Sequence, residues 1–252
     1  MAEAAKGFSG SVTVDDAEVA RFDRLANTWW DAKGPMRTLH KFNPVRLTYI
    51  RNAAAAHWDR DVADGLPLEG LSILDVGCGG GLLCEPLSRL GASVTGIDPA
   101  RTNVEVARRH AERSGAIVGY RNETVETLVD EGASFDIVLA MEVVEHVADV
   151  DAFVEACCRA VKPGGLLIMA TLNRTMKSFA LAIVGAEYVL RWLPRGTHEW
   201  AKFVTPRELE SSIGRNGLAI SDRIGVVYNP LADAWRLSSD VGVNYMVLCE
   251  KP

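Results

Sequence analysis

Four glycines crowd one short turn of this chain: in LDVGCGGG, Gly77, Gly79, Gly80 and Gly81 follow an acidic residue, Asp75. Positions without a side chain let the backbone approach a ligand closely and adopt left-handed angles. The turn lies between a buried-strand pattern, LSILDVG, and a helical pattern, LLCEPLSRLG. In an open α/β sheet that is where ligands bind, beyond the carboxyl ends of the strands. Dinucleotides and S-adenosyl-L-methionine both use such a turn. The dinucleotide fingerprint wants G-x-G-x-x-G or its alanine variant, and the sixth position here is Leu82. The glycines fall as G-x-G-x-G instead. Asp75 beside them would repel a pyrophosphate but suits a ligand that carries an ammonium and a sulfonium. Asp98 ends the next strand pattern, SVTGID, where its two acceptor oxygens can take both hydroxyls of a ribose. Asp75, Gly77, Gly79 and Asp98 are therefore the cofactor-binding candidates. The expected ligand is S-adenosyl-L-methionine, with S-adenosyl-L-homocysteine as its spent form.

A second group follows the strand pattern FDIVLAM. Glu142, Glu145 and His146 stand at i, i+3 and i+4, which share a face if the segment is helical. Two carboxylates and an imidazole so placed can hold a divalent ion such as Mg2+ and make a chelated substrate oxygen more acidic. The same Glu-His-Val run can equally be a structural turn, and the residues alone leave both readings open.

Strands and helices alternate around these groups. After LSILDVG and SVTGID come a weak strand, VGYRNET, then FDIVLAM and LLIMATLN, with helical patterns between them. Such alternation implies a parallel sheet covered by helices on both faces. LAISDRIGVVYN and NYMVLCEK read as a closing antiparallel pair joined by a long connection. Thr205-Pro206-Arg207-Glu208 is a capping box that opens a helix ending at Gly217. Upstream, Val19, Phe22, Leu25 and Trp29 recur near helical spacing from Asp15, and Asn43-Pro44 predicts the start of a second helix. The organisation expected is a disordered stretch over 1–14, cap helices over 15–69, and a core over 70–252 interrupted at 174–202.

Composition limits the partners. A net charge of -6 argues against a broad nucleic-acid surface. The five cysteines, Cys78, Cys84, Cys157, Cys158 and Cys249, form no C-x-x-C pair and read as reduced, mostly buried thiols of a cytoplasmic protein. The N-terminal residues carry no apolar run of signal-peptide type, and no stretch reaches the ~20 apolar residues of a membrane span.

Laid out in this way, the chain resembles the class I methyltransferases, whose Rossmann-like, seven-stranded, mostly parallel α/β sheet has its last strand antiparallel. Three stretches sharpen the likeness to the ubiquinone-biosynthesis O-methyltransferases: NTWWDAKGPMRTLHKFNPVRLTYI, MEVVEHVADVDAFV and TLNRTMKSFALAIVGAEYVLRWLPRGTHEW. The resemblance implies methylation of phenolic hydroxyls on polyprenylated catechol-type intermediates at both O-methylation steps. It implies cofactor contacts at Arg46, Gly77, Asp98 and Met141. An Arg46 guanidinium can pair with the methionine carboxylate. It also implies Glu142, Glu145 and His146 as metal ligands. A phenol titrates near ~10, so something must take its proton at neutral pH. His146, with Glu142, is the candidate for that acid–base work, because imidazole is the side chain whose unperturbed titration lies nearest neutrality. His40 and His198, in the family-specific stretches, are the alternatives. A carbon- or nitrogen-methylating enzyme of the same fold is the rival reading.

The interruption at 174–202 mixes apolar anchors (Phe179, Ile183, Tyr188, Trp192) with Arg174, Lys177, Arg191 and Arg195. Basic flanks on an apolar, aromatic stretch fit a segment drawn to an anionic membrane surface, on the inner face of the cytoplasmic membrane. A lid over the substrate pocket fits it too, and the two are compatible. Other enzymes of ubiquinone biosynthesis are expected partners.

Overall fold

The computed structural model describes residues 13–180 and 199–252. Helix α1 (Asp16–Leu25) starts where Asp15 turns its side chain onto the Ala17 and Glu18 amides. A 3₁₀ turn, Ala26–Thr28, follows, and Ala26, Trp29 and Met36 form a small core of their own. Helix α2 spans Arg37–His57 and so begins well before the expected Asn43-Pro44 start. Pro44 lies inside it, although a proline there lacks the N–H that an interior helix position supplies. Burial outweighs that local cost: Phe42, Arg46, Tyr49 and Ile50 all lie on the packed side of α2. Thr13, inside the stretch expected to be disordered, is buried and donates to Glu126 Oε1 at 2.5 Å.

The core alternates as the sequence predicts. Its parallel part contains β1 (Ser72–Val76), β2 (Ser93–Ile97), β3 (Val118–Arg121), β4 (Phe135–Met141) and β5 (Val161–Leu172). The connecting helices are α3 (Cys84–Arg89), α4 (Arg101–Ser114), α5 (Val125–Asp130) and α6 (Val150–Ala160). After β5 come the one-turn α7 (Met176–Ser178) and the capped α8 (Pro206–Arg215), whose Thr205–Glu208 capping box forms as expected. The last strands are β6 (Ala219–Asn229), β7 (Ala234–Ser238) and β8 (Asn244–Glu250). Side chains alternate between two cores: Ile73, Ile137 and Leu139 pack beneath α2, α3 and α4, while Leu74, Val138 and Ala140 face α5, α6 and α8.

One sheet contains all eight strands of the described residues, in the order β3-β2-β1-β4-β5-β8-β6-β7. As expected the final strand is antiparallel, pairing with β5 on one side and β6 on the other. The count is eight rather than seven because the connection after β6 contains a strand. Asn229 Oδ1 accepts from the Leu231 and Ala232 amides, which turns AWRLS back along GVVYN. Trp235 of β7 then stacks on Phe42 of α2 at 4.9 Å. A five-residue edge strand with no fully buried residue produces little periodic signal. The order reverses direction between β1 and β4, and a crevice opens there at the strand ends.

No helix among the described residues is long and apolar enough to cross a membrane. All five cysteines are buried and free.

Candidate active site

At that crevice lies a cavity of about 860 Å³. Its walls come from the β1 turn, the ends of β2 and β4, helices α1 and α2, and the β6–β7 hairpin. Arg46, Asp75, Gly77, Asp98 and Met141 line it, as do Glu142, Glu145 and His146. One cavity therefore gathers residues up to a hundred positions apart in sequence.

The glycine turn is held open by its own geometry. Gly77 has φ 69°, and a Cβ there would meet Val143 Cγ2 at 2.6 Å. Gly79, at φ 53°, does not line the cavity: Trp29 covers it, and a Cβ would lie 2.4 Å from the indole. Asp98 fastens the turn by accepting from the Gly79 amide at 2.9 Å and, through its other oxygen, from the Ala100 amide at 2.8 Å. Asn103 adds a donor at 3.3 Å and in turn accepts from Trp29 Nε1 at 2.8 Å. A carboxylate has about four lone-pair sites, so Asp98 retains acceptor capacity for a ligand. Burial lifts its carboxyl to about 6. Burial raises Asp75 further, to about 7, partly offset by the Cys84 thiol that donates to it at 3.1 Å.

Across the cavity Arg46 is buried, stacked 3.7 Å over the Phe42 ring, with Nη2 on Glu142 Oε1 at 2.5 Å. Burial pulls the guanidinium's pKa down, while the Glu142 and Glu145 charges support its protonated form. Glu142 takes a left-handed backbone, φ 58°, uncommon for a residue with a side chain. Glu145 follows in a 3₁₀ turn, Val144–His146, and accepts from Thr171 at 2.8 Å. Burial first, and then the Glu142 charge, push its carboxyl up to about 7. His146 Nδ1 meets Glu18 Oε2 of α1 at 3.1 Å, and its ring packs edge-on to Phe22. His40 bonds instead to the Trp29 carbonyl at 2.8 Å, and His198 lies outside the described residues.

Comparison with known proteins adds what geometry cannot. Residues 74–169 match the model of a methyltransferase domain. In structure the chain is similar to magnesium protoporphyrin IX methyltransferase of Synechocystis PCC 6803, solved with bound SAH. That match has a TM-score of 0.65 and 18% identity, over 92% of this chain and 95% of that one, which speaks to the fold. Among curated proteins the chain is 62% identical to the ubiquinone biosynthesis O-methyltransferase of Methylobacterium nodulans, over 95% of this chain and 96% of that one. It is 61% identical to the protein of that name from Chelativorans sp., over 95% of each. The chain belongs to the ubiquinone biosynthesis O-methyltransferases.

As a methyltransferase of this family it uses S-adenosylmethionine, the donor to which the glycine spacing already pointed. A metal fits this O-methyltransferase less readily. The oxygen and imidazole donors of Glu142, Glu145 and His146 are of the right type for a hard cation, and Glu145 Oε1 is buried without a partner. Yet Glu142 is held by Arg46 and His146 by Glu18. Among the described residues no three ligand-type side chains gather around one point. The positive φ at Glu142 breaks the helical face that i, i+3, i+4 spacing assumes, so the site is not formed as these side chains stand.

Sequence reasoning missed Trp29 as the roof of the loop, Asn103 as its link to Asp98, and Asn244, which donates to Glu142 at 2.8 Å. The Trp29-Trp30 pair, two bulky aromatics in an otherwise polar stretch, was a usable signal for the first. Nothing local to Asn244 marks it.

Proposed function

We propose that the chain moves the methyl group of S-adenosylmethionine onto phenolic hydroxyls of polyprenylated catechol-type intermediates, at both O-methylation steps of ubiquinone biosynthesis. The observation that carries this is the 62% identity, along nearly the full length of both chains, to a relative of that name. Gly77, Asp75, Asp98 and Met141 bind the donor, and Arg46 takes its carboxylate. The phenolic oxygen approaches the methyl carbon in line with the departing sulfur. The C–S bond breaks as the O–C bond forms, and S-adenosylhomocysteine leaves. His146 accepts the phenolic proton, with Glu142 orienting the acceptor ring. Glu145, with a carboxyl near neutrality and a buried oxygen free of partners, is a second group able to take that proton.

The tail of such a substrate sits in a bilayer, and the proposal includes an approach to an anionic membrane surface. Met176, Phe179 and Trp200 are exposed at the borders of the 174–202 segment, next to Arg174 and Lys177. Residues 181–198, which contain Ile183, Tyr188, Arg191, Trp192 and Arg195, lie outside the described residues. Association with other enzymes of the pathway belongs to the same proposal.

A radiolabelled methyl-transfer assay with short-chain analogues of both intermediates tests the reaction. O-methylation of both is expected, and transfer only to carbon or nitrogen acceptors overturns the reading. Thorough chelation is the second arm: unchanged activity removes the divalent ion expected at Glu142, Glu145 and His146, and recovery only on adding Mg2+ restores it.

A further inference from the structure

Three side chains at the Arg46–Glu142 end of the cavity each bury a polar atom that has no hydrogen-bond partner among the described residues: Arg46 through Nε, Glu145 through Oε1 and Asn244 through Oδ1. Asn244 opens β8, opposite Leu172 at the end of β5, and is 4% exposed. Its Nδ2 donates to Glu142 Oε1, the same oxygen that takes the Arg46 guanidinium. An ionised carboxylate only accepts, so this contact settles which way the amide points: nitrogen to Glu142, oxygen away from it. The oxygen in turn can only accept. A buried acceptor without a donor is costly, and a ligand that brings the donor relieves that cost. Donation to a charged partner also polarises the amide and strengthens its oxygen as an acceptor.

We propose that Asn244 is a specificity-determining residue that accepts a hydrogen bond from the substrate hydroxyl next to the one being methylated; the inference rests on the O-methyltransfer reading above. The reacting oxygen must lose its proton, and a carbonyl aimed at it would face a phenolate and oppose the step. The neighbouring hydroxyl keeps its proton and is the donor this oxygen lacks. Only a ring with two adjacent hydroxyls supplies both a nucleophile and that donor. A methoxy group in the second position has no hydrogen to give. Asn244 thus selects vicinal diols over their mono-ethers, while Glu142 holds its nitrogen and Arg46 holds Glu142.

The probes are catechol and 2-methoxyphenol, each carrying a short prenyl chain, with labelled S-adenosylmethionine as donor. The wild-type chain is expected to favour the catechol by about tenfold or more in kcat/KM, mostly through KM, as for loss of one hydrogen bond to a buried group. In Asn244→Ala the catechol KM rises to the level of the mono-ether. Its kcat stays within about threefold; Asn244 reaches the donor only through Glu142 and Arg46, so a change in S-adenosylhomocysteine affinity reports that relay and not the bond to the hydroxyl. Mono-ether kinetics do not change. Equal KM values for the two rings in the wild-type chain overturn the proposal, and so does a variant that loses the same factor on both rings. If alanine unsettles the fold, as a lowered Tm without ligand would reveal, Asn244→Leu is read in its place, and the wild-type comparison needs no variant. A wild-type chain that methylates amine or carbon acceptors and neither ring fails at the O-methyltransfer reading itself.

Discussion

Asp75 sits fully buried behind the glycine turn, its carboxyl raised from 3.8 to about 7 chiefly by desolvation. Because the folded value exceeds the unfolded one, the native state holds a proton that the unfolded chain releases. The stability this provides is complete below about pH 4 and is lost as pH rises through 7. The ligand-free protein is expected to melt at a lower temperature at pH 8 than at pH 6, with a smaller difference in Asp75→Asn, measured by calorimetry. A cationic donor favours the ionised carboxylate, so binding S-adenosylmethionine drives the proton off. Its affinity is expected to rise by up to about tenfold from pH 6 to pH 8, a one-unit displacement of that titration. A flat profile in the wild-type chain would count against Asp75 as the group facing the positive charge. Asp75 and Asp98 were identifiable from sequence because Asp75 stands two residues before the glycine turn and Asp98 ends the next strand pattern. Asn244 was not, because its partner Glu142 is 102 residues away and only the insertion of β8 beside β5 brings the two together.

At the scale of elements, the glycine turn and the N-terminal cap form one unit. Trp29 lies over Gly79 and Gly80, Trp30 Nε1 donates to the Gly80 carbonyl at 2.9 Å, and the Trp30 ring stacks on His110 of α4 at 3.4 Å. Gly79→Ala would put a Cβ into the indole at a backbone angle that favours glycine. A destabilisation of at least ~2 kcal/mol is expected, read as a fall of about 4–8 °C in Tm for a chain of this size, with loss of S-adenosylhomocysteine binding. A variant that binds normally would show that the cap yields freely. At the acceptor side, Glu145→Gln keeps the Thr171 bond and removes the ionisable group whose carboxyl lies near 7. If Glu145 takes the phenolic proton, the variant loses about 10²-fold or more in kcat and the pH–rate profile loses its limb near 7. An unchanged profile would leave His146 as the base.

For the whole molecule the question is what covers and what approaches the cavity. Saturating S-adenosylhomocysteine at about 100 times its Kd is expected to stabilise the fold by ~2.7 kcal/mol, visible as a thermal shift that NAD does not produce. Against a net charge of -6, any attraction to an anionic bilayer must be local, and Met176, Phe179 and Trp200 are the described apolar side chains best placed for it. Replacing the three with serine is expected to reduce flotation with anionic vesicles while leaving S-adenosylhomocysteine binding unchanged. Flotation equal to wild type, also after charge reversal of Arg191 and Arg195, would sink the membrane part of the proposal.

By itself the sequence determined the alternating core and the cofactor turn, since both are written in short-range patterns: apolar period, glycine spacing and an acidic residue at each strand end. It also carried the family likeness. Only the tertiary structure decided the start of α2, the eighth strand and the partners at the acceptor end. Pro44 marks a helix start in local terms, but burial of Phe42 and Arg46 extends α2 past it. AWRLS is too short and too exposed for a periodic signal, yet Trp235 finds Phe42. The spacing of Glu142, Glu145 and His146 suggested one shared face, whereas a left-handed Glu142 sends the three to Arg46, Thr171 and Glu18. Side-chain partners are set by long-range packing, which no local pattern encodes.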